Sequence, residues 1–420
     1  MRVQRCKGSR DLTPEQMLRF RFVEKAFRRC CLKWGYEEVK TPVLEYLNLF
    51  TSTGTLTPGM LSKVYSFLDW DGWSGQRLVL RPDGTIPLAR LYIDNIADNK
   101  KLARLFYTSN IFRFEETGQE TRERWQGGVE LIGVSSSLAD VELILLALEV
   151  LAKMGIKGVE LKLSHAGLVR SLLSELGLSD REQARIFDQV LDGDSEAFAR
   201  IRAERPDLGR AMVSLLDLEG RSPGFLKNLR SLFGRSVPEL VPIVDDFISI
   251  VELLDAVGCD YQIDITSGKG FEYYTGVIFQ LFYDGDKIGG GGRYDALIPL
   301  MGGGDIPASG FALYFDCLMN LVEPSVLAGP LEQRILVKVE REAVKKGLDI
   351  TASLRDAGYI VELWLESQQP SNLRWMLDVR NEVPAFVLHD SLKIKDIELE
   401  TAGEVLTLLG ESNGDKDSPA

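Results

Sequence analysis

Four glycines stand in a row at Gly289-Gly290-Gly291-Gly292, followed by Arg293-Tyr294-Asp295. So many consecutive glycines cost a large amount of backbone entropy on folding. A chain keeps such a run where its backbone must come close to a ligand or to another strand. The run is not a familiar nucleotide loop, because neither Gly-x-Gly-x-x-Gly nor Gly-Lys-Ser/Thr is present. Residues 260–320 around it read as strands joined by Gly-rich turns, with strands expected over Gln262–Ile265 and Thr275–Tyr283.

A chain of 420 residues exceeds what one hydrophobic core usually serves, so two or three domains are expected. Its 45% hydrophobic and 26% charged residues are ordinary for a globular protein, and no run of about 18 apolar residues predicts a membrane span. No apolar signal core follows Met1-Arg2-Val3-Gln4-Arg5. The five cysteines are odd in number and form no Cys-x-x-Cys pair or Cys/His cluster, which fits a reduced cytoplasmic location with no metal site. The net charge of −13 weighs against binding a phosphate backbone such as tRNA.

Helical spacing of Leu18, Phe22, Ala26 and Phe27 predicts a helix over Glu15–Trp34, stopped by Gly35. Strand-like runs follow at Glu37–Thr41, Arg77–Leu80, Leu105–Phe114 and Val129–Val134, then a helix over Leu138–Lys153. Residues 166–256 read as a helical insert that divides one α+β core into 1–165 and 257–325. Residues 333–410 alternate strand, helix, strand, helix (Asn372–Arg380) and strand, as in a small α/β domain. Residues 411–420 are polar and expected to be a disordered tail.

Three clusters could carry chemistry besides the glycine run. Arg81-Pro82-Asp83-Gly84-Thr85 follows an apolar run and, alone, is a strand ending in a turn. Arg113, Gln126 and Glu130 lie on strand-like segments, and the even separation of Gln126 and Glu130 aims both at one face. A carboxylate, an amide and an arginine that converge suit an amino acid; the alternative is solvated charge on an exposed sheet face. The third cluster is Gly268-Lys269-Gly270-Phe271-Glu272-Tyr273-Tyr274. His165 and His389 read as ordinary core or surface residues.

The ordered set of motifs is more specific than any one. Lys7-Gly8-Ser9-Arg10-Asp11, Gly35 to Pro42, Arg81 to Thr85, Phe112-Arg113, Tyr273-Tyr274 and Gly291-Gly292-Arg293-Tyr294-Asp295 resemble, in sequence order, the histidyl-tRNA synthetases. The resemblance spans residues 5–320, with a fainter likeness of 333–410 to that family's anticodon-binding domain. It implies a class II aminoacyl-tRNA synthetase-like antiparallel sheet flanked by helices, and a homodimer built near Pro42. It also implies a histidine pocket. Asp83 matches the position that holds the ligand's ammonium, with Thr85 and Gln126 beside it. Glu130 and Tyr274 match the pair that reads the imidazole, Tyr273 a pocket wall, and Arg113 the arginine that meets carboxylate or phosphate.

The ATP-facing positions depart from the family. Lys269 stands where the synthetases have an arginine, losing the planar two-point donor. Cys317, preceded by Asp316, stands where their third motif ends in an arginine, and loss of one such donor costs on the order of 10²–10³ in rate. Glu116-Thr117-Gly118 replaces an Arg-Pro-Gln turn, although Arg122 and Arg124 remain nearby. Residues 331–420 carry 11 Lys+Arg against 17 Asp+Glu, a balance that does not suit an anticodon reader.

A pocket that keeps histidine and drops ATP is similar to the regulatory subunits of short-form ATP phosphoribosyltransferase. The resemblance implies a non-catalytic protein without cofactor, metal or catalytic residues. Its expected partner is a catalytic subunit that performs the first step of histidine biosynthesis, with L-histidine as the feedback effector. Histidine at Glu130 and Tyr274 is expected to reorder the glycine run and alter subunit packing, since only differential affinity shifts an equilibrium. The alternatives are a divergent, functional histidyl-tRNA synthetase, or a non-enzymatic module that binds histidine or uncharged tRNA.

Overall fold

The structure, a computed structural model, describes residues 4–53, 61, 63–69, 75–98, 101–114, 121–174, 219–234, 237–265, 274–323, 334–365 and 373–414. Lys269, Tyr273, the Glu116-Thr117-Gly118 turn and residues 175–218 of the expected insert lie outside the described residues. The chain divides into two compact units, Met1–Val322 and Glu323–Ala420.

The first unit is organised by its N-terminal helix, Pro14–Lys33. Thr13 and Gln16 form a reciprocal capping box, Pro14 takes the first turn, and Gly35 at φ +80° ends the run. The buried stripe is Phe20, Val23, Phe27, Cys30 and Cys31, whereas Leu18 is exposed. The stripe is rotated about a quarter turn from the spacing read in sequence, with Phe27 common to both, because the aromatic contacts decide it. Phe27 meets Phe106 and Phe315 edge-on at 5.9 and 5.5 Å, and Phe20 meets Trp125 at 5.0 Å.

That helix covers one face of a nine-stranded sheet. Its strands are β1 (Glu37–Glu38), β5 (Ala103–Phe112), β6 (Glu123–Ile132), β7 (Glu160–His165), β8 (Glu219–Gly220), β9 (Gln262–Asp264), β10 (Val277–Tyr283), β11 (Asp286–Arg293) and β12 (Ala308–Tyr314). The order is β1-β5-β6-β12-β11-β10-β7-β9-β8, antiparallel apart from the β1–β5 and β7–β9 pairs. A three-stranded antiparallel sheet, β2 (Leu44–Tyr46), β4 (Arg77–Leu80) and β3 (Ser66–Leu68), completes the strands of this unit. The helix Ser137–Lys153, capped by Ser136, contributes Val141, Ile144, Leu146 and Val150 to the core. Among the described residues of 166–256 the reading of helix holds for Ala166–Ser174, Pro223–Phe233 and Leu240–Ala256, but Glu219–Gly220 pairs with β9 instead.

The glycine run corrects one expectation. Gly289–Gly292 are not a turn but part of β11, paired on both sides with β10 and β12. A side chain at Gly289 would meet the Leu313 side chain at 2.6 Å, and one at Gly290 would meet the Phe279 carbonyl at 2.7 Å. The close approach is therefore to the neighbouring strands.

The second unit holds a five-stranded sheet of order β14-β13-β15-β16-β17. These are Ile360–Leu363, Arg334–Val339, Trp375–Val379, Phe386–Asp390 and Lys395–Leu399. β13 runs parallel to β14 and β15, and β15–β16–β17 are antiparallel. The helix expected over Asn372–Arg380 is strand β15. Leu373 and Leu377 have helical spacing, but Trp375, Leu377 and Val379 alternate into the core, and period two wins. The last helix, Ala402–Gly414, runs four residues into the stretch read as a tail. Among the described residues, no helix is long and apolar enough to cross a membrane.

Candidate functional site

The candidate residues meet above the middle of the large sheet, where β5, β6, β12 and β11 lie side by side. Gln126 and Glu130 share a face of β6, as their even spacing requires. Glu130 is 1% exposed, which excludes the reading of solvated surface charge. The Thr85 hydroxyl donates to it at 2.7 Å, and Tyr294, just beyond β11, bonds its second oxygen. Room for the carboxylate comes from across the sheet, where β12 places Gly310 opposite Glu130; a methyl group there would fall on the carboxylate. Gly310→Ala is therefore expected to cost about 1–3 kcal/mol of stability by overpacking. Gly224→Ala, whose methyl would meet nothing closer than 3.5 Å, is a matched control with little effect in the same thermal melts.

Asp83 and Thr85 open the helix Thr85–Asn95. The Asp83 carboxylate accepts the Ile86 backbone N–H at 2.9 Å. Gln126 donates its amide N–H to the Tyr107 hydroxyl at 3.0 Å. Arg113 reaches the Pro82 carbonyl at 3.4 Å, and its charge acts on Asp83. Tyr274 is buried, and its ring lies 3.0 Å from where a side chain at Gly292 would begin.

The electrostatics of this cluster are dominated by desolvation. Burial pushes the Glu130 carboxyl up to about 8, against the hydrogen bonds from Tyr294 and Thr85, and the nearby Asp83 raises it further. Burial likewise raises Asp83, opposed by the Ile86 N–H and the Arg113 charge. Burial, then Glu130 and Asp83, hold the Tyr107 hydroxyl well above its usual range. Two buried acids beside hydroxyls and an amide oxygen form a site rich in acceptors. A ligand that brings N–H donors and positive charge is what such a site stabilises.

The other side of the cluster is built differently. Asp316 opens the helix Phe315–Leu321, accepts the Trp125 N–H at 2.9 Å, and forms an ion pair with Arg10. Cys317 follows it, half-buried, and burial and then Asp316 raise its thiol. Arg122 stacks on the Phe114 ring, 4.6 Å from its centroid.

Two polar residues of the cluster escaped the sequence reading. Tyr107 follows Leu105 on the same face of β5 and looks like core. Tyr294 was visible only as part of a family motif, with nothing in its spacing that aims it at Glu130.

A family model described as histidyl-tRNA synthetase matches residues 8–318. An ATP phosphoribosyltransferase regulatory subunit of Dehalococcoides mccartyi is 51% identical over 416 residues, covering 99% of this chain and 100% of that protein. The chain belongs to the histidyl-tRNA synthetase family, in its branch of ATP phosphoribosyltransferase regulatory subunits. The ligase branch is more distant: a histidine–tRNA ligase of Methanosarcina acetivorans is 34% identical, over 85% of this chain and 84% of the ligase. A solved structure from Bacillus halodurans, described as an ATP phosphoribosyltransferase regulatory subunit/histidyl-tRNA synthetase, superposes with TM-score 0.76 at 24% identity. It covers 89% of this chain and 95% of that one, and bears out the class II synthetase-like fold. Membership of the regulatory-subunit branch makes the chain a regulatory protein rather than the catalytic enzyme.

Proposed function

We propose that this regulatory subunit binds L-histidine in the Glu130 cluster and carries feedback inhibition to a short-form ATP phosphoribosyltransferase catalytic subunit. The observation that carries the reading is the buried Glu130 carboxylate, held by Thr85 and Tyr294 beside Asp83 and Gln126. Glu130 accepts an imidazole N–H, Asp83 and the Gln126 amide oxygen accept the ammonium, and Arg113 meets the carboxylate. The family resemblance assigns Lys269, Tyr273 and Tyr274 to the same histidine site, and of these only Tyr274 is among the described residues. Asp83 competes for its own helix N–H groups, so it offers the ammonium its second oxygen.

Aminoacylation does not fit the adenylate side. Cys317 cannot neutralise a phosphate, and Asp316 beside it adds negative charge that Arg10 offsets. The purified chain is expected to show no histidine-dependent exchange of pyrophosphate into ATP while still binding histidine by calorimetry. Robust exchange would return the chain to the synthetases. Mixed with a short catalytic subunit, the chain is expected to switch on phosphoribosyl-ATP formation, and histidine to inhibit it. In this reading two copies of the chain pair as a homodimer within the hetero-oligomer.

The route of the signal also differs from a reordered glycine strand. β11 is hydrogen-bonded along both edges, so moving it breaks two ladders at once. The Tyr294 side chain, which bonds Glu130 from just beyond the end of β11, is the smaller part to move.

A further inference from the structure

On the face that carries Glu130 and Gln126, β12 ends on its one bulky residue. Gly310 pairs with Glu130, Ala312 with Gly128 and Tyr314 with Gln126, so alternation turns all three to that face. The next strand, β11, brings Gly292 opposite Gly310 and Gly290 opposite Ala312. The floor beside the cluster therefore rises in a single step from bare backbone and one methyl group to a phenol. The residue after Tyr314 confirms the direction. Phe315 lies on the other face, under Gly127, and packs edge-on against Phe20 and Phe27 at 6.1 and 5.5 Å.

Tyr314 is not a core residue. Part of its surface stays open, whereas Leu313 and Phe315 on either side of it are fully buried. Its place is the junction between the two halves of the cluster. Gln126 lies across the ladder from it on one side, and the helix Phe315–Leu321 with Asp316 and Cys317 begins directly after it. The charges around its hydroxyl agree with that place. Burial raises the hydroxyl, the Arg113 charge opposes this, and Cys317, Arg124 and Asp83 act on it in turn. Asp83 and Arg113 belong to the histidine half, and Cys317 and Arg124 to the adenylate side. A ring at that junction fills space that a group attached to the amino acid's carboxylate would need, and close-packed surroundings yield little.

We propose that Tyr314 is a specificity-determining wall that ends this pocket at the ligand's carboxylate, so that the free amino acid enters and derivatives extended through that carboxylate do not. The ring does the excluding, and the hydroxyl is dispensable for it. The wall and the loss of a cation at Cys317 act in the same direction: one removes the room for an acyl substituent, the other the charge that would hold it. The inference rests on the histidine reading of this pocket.

Calorimetric titration of the full chain with L-histidine, its methyl ester and its benzyl ester tests it. Both esters lack the carboxylate charge, so their ratio reports only the size of what lies beyond it. The parent is expected to bind the methyl ester at least about tenfold more tightly than the benzyl ester, the scale of forcing a bulky group against packed atoms. Tyr314→Ala is expected to bring the two within about twofold, and Tyr314→Phe to keep the parent's ratio. Thermal melts check that each variant folds. Tyr314→Leu, expected at a ratio of about threefold, serves if Tyr314→Ala does not fold. A parent that binds both esters alike, a small variant that still binds L-histidine but gains nothing for the benzyl ester, or a Tyr314→Phe that behaves like the small variant would overturn the proposal while leaving the pocket reading in place. If the parent binds no histidine, the pocket reading falls and takes the proposal with it.

Discussion

Glu130→Gln is expected to weaken L-histidine binding by about a hundredfold or more and to leave the fold at least as stable as before. The amide keeps the size of the carboxyl and can still meet Thr85 and Tyr294. It cannot carry the charge that pairs with an imidazolium. The pH profile of the parent makes the same point. The imidazole of free histidine titrates near 6.5, and Glu130 at about 8. The complex needs one proton shared between the two groups. Between these values the free partners already hold that one proton, on Glu130, and affinity is flat. Below pH 6.5 a second proton must leave on binding, and above pH 8 one must be taken up. Affinity should therefore fall about tenfold per pH unit on each side. The variant should lose the alkaline limb.

The sign of the stability effect follows from the same group. Its folded pKa is raised above the ordinary 4.5, so the folded state holds a proton that the unfolded state releases. Stability due to this group is therefore lost as pH rises from 4.5 through 8. Glu130→Gln lacks that loss, and thermal melts should favour the variant most at pH 8–9 and least at pH 5. An unchanged histidine affinity in the variant would remove Glu130 from the site.

Arg293→Met is expected to destabilise the first unit by about 3–5 kcal/mol in urea. Arg293 grips the Asp140 carboxylate with two nitrogens, at 2.8 and 3.2 Å, with side-chain exposures of 7% and 3%. It also donates to the Val134 and Ser136 carbonyls at 3.2 and 3.4 Å, around the cap of the helix Ser137–Lys153. Burial works against the Arg293 charge, and Asp140 and Asp295 outweigh it, so the guanidinium holds its proton more firmly than usual. Methionine fills the stem's volume but leaves Asp140 buried without a counter-charge, which is where most of the cost lies. Adding Asp140→Asn should recover much of the loss. A single variant as stable as the parent would show that Arg293 is not the group that neutralises Asp140. Because Tyr294 is the next residue and holds Glu130, Arg293→Met should also weaken histidine binding.

Parts of the site were legible before any fold was known. The even separation of Gln126 and Glu130 placed them on one face of a strand, and β6 carries them so. The turn at Asp83-Gly84-Thr85 was readable as the end of a strand, and it opens a helix whose first N–H groups Asp83 caps. Tyr107 was not legible, because an aromatic residue in an alternating strand reads as core. Only the two glycines that make room for it, 23 residues upstream and 21 downstream in the chain, mark it as special, and they are neighbours only in space.

The sequence by itself determined the element types wherever a periodicity or a cap was strong. The Thr13–Gln16 capping box with Gly35 delimits the first helix, and the strand Arg77–Leu80 falls where its residues suggested. It also determined the family, because six short motifs in a fixed order are far more specific than any one of them. The tertiary structure decided what competing periods could not. Leu373–Leu377 spacing lost to the alternating burial of Trp375, Leu377 and Val379, because a sheet partner was available on each side. The glycine run became a central strand for the same reason: neighbouring strands, not local preference, satisfy its backbone. Glu130 shows the limit most clearly. Its acidity is set by what excludes water and by which hydroxyls arrive from Thr85 and Tyr294, 45 and 164 residues away. No local pattern encodes that distance, because the fold alone brings those oxygens together.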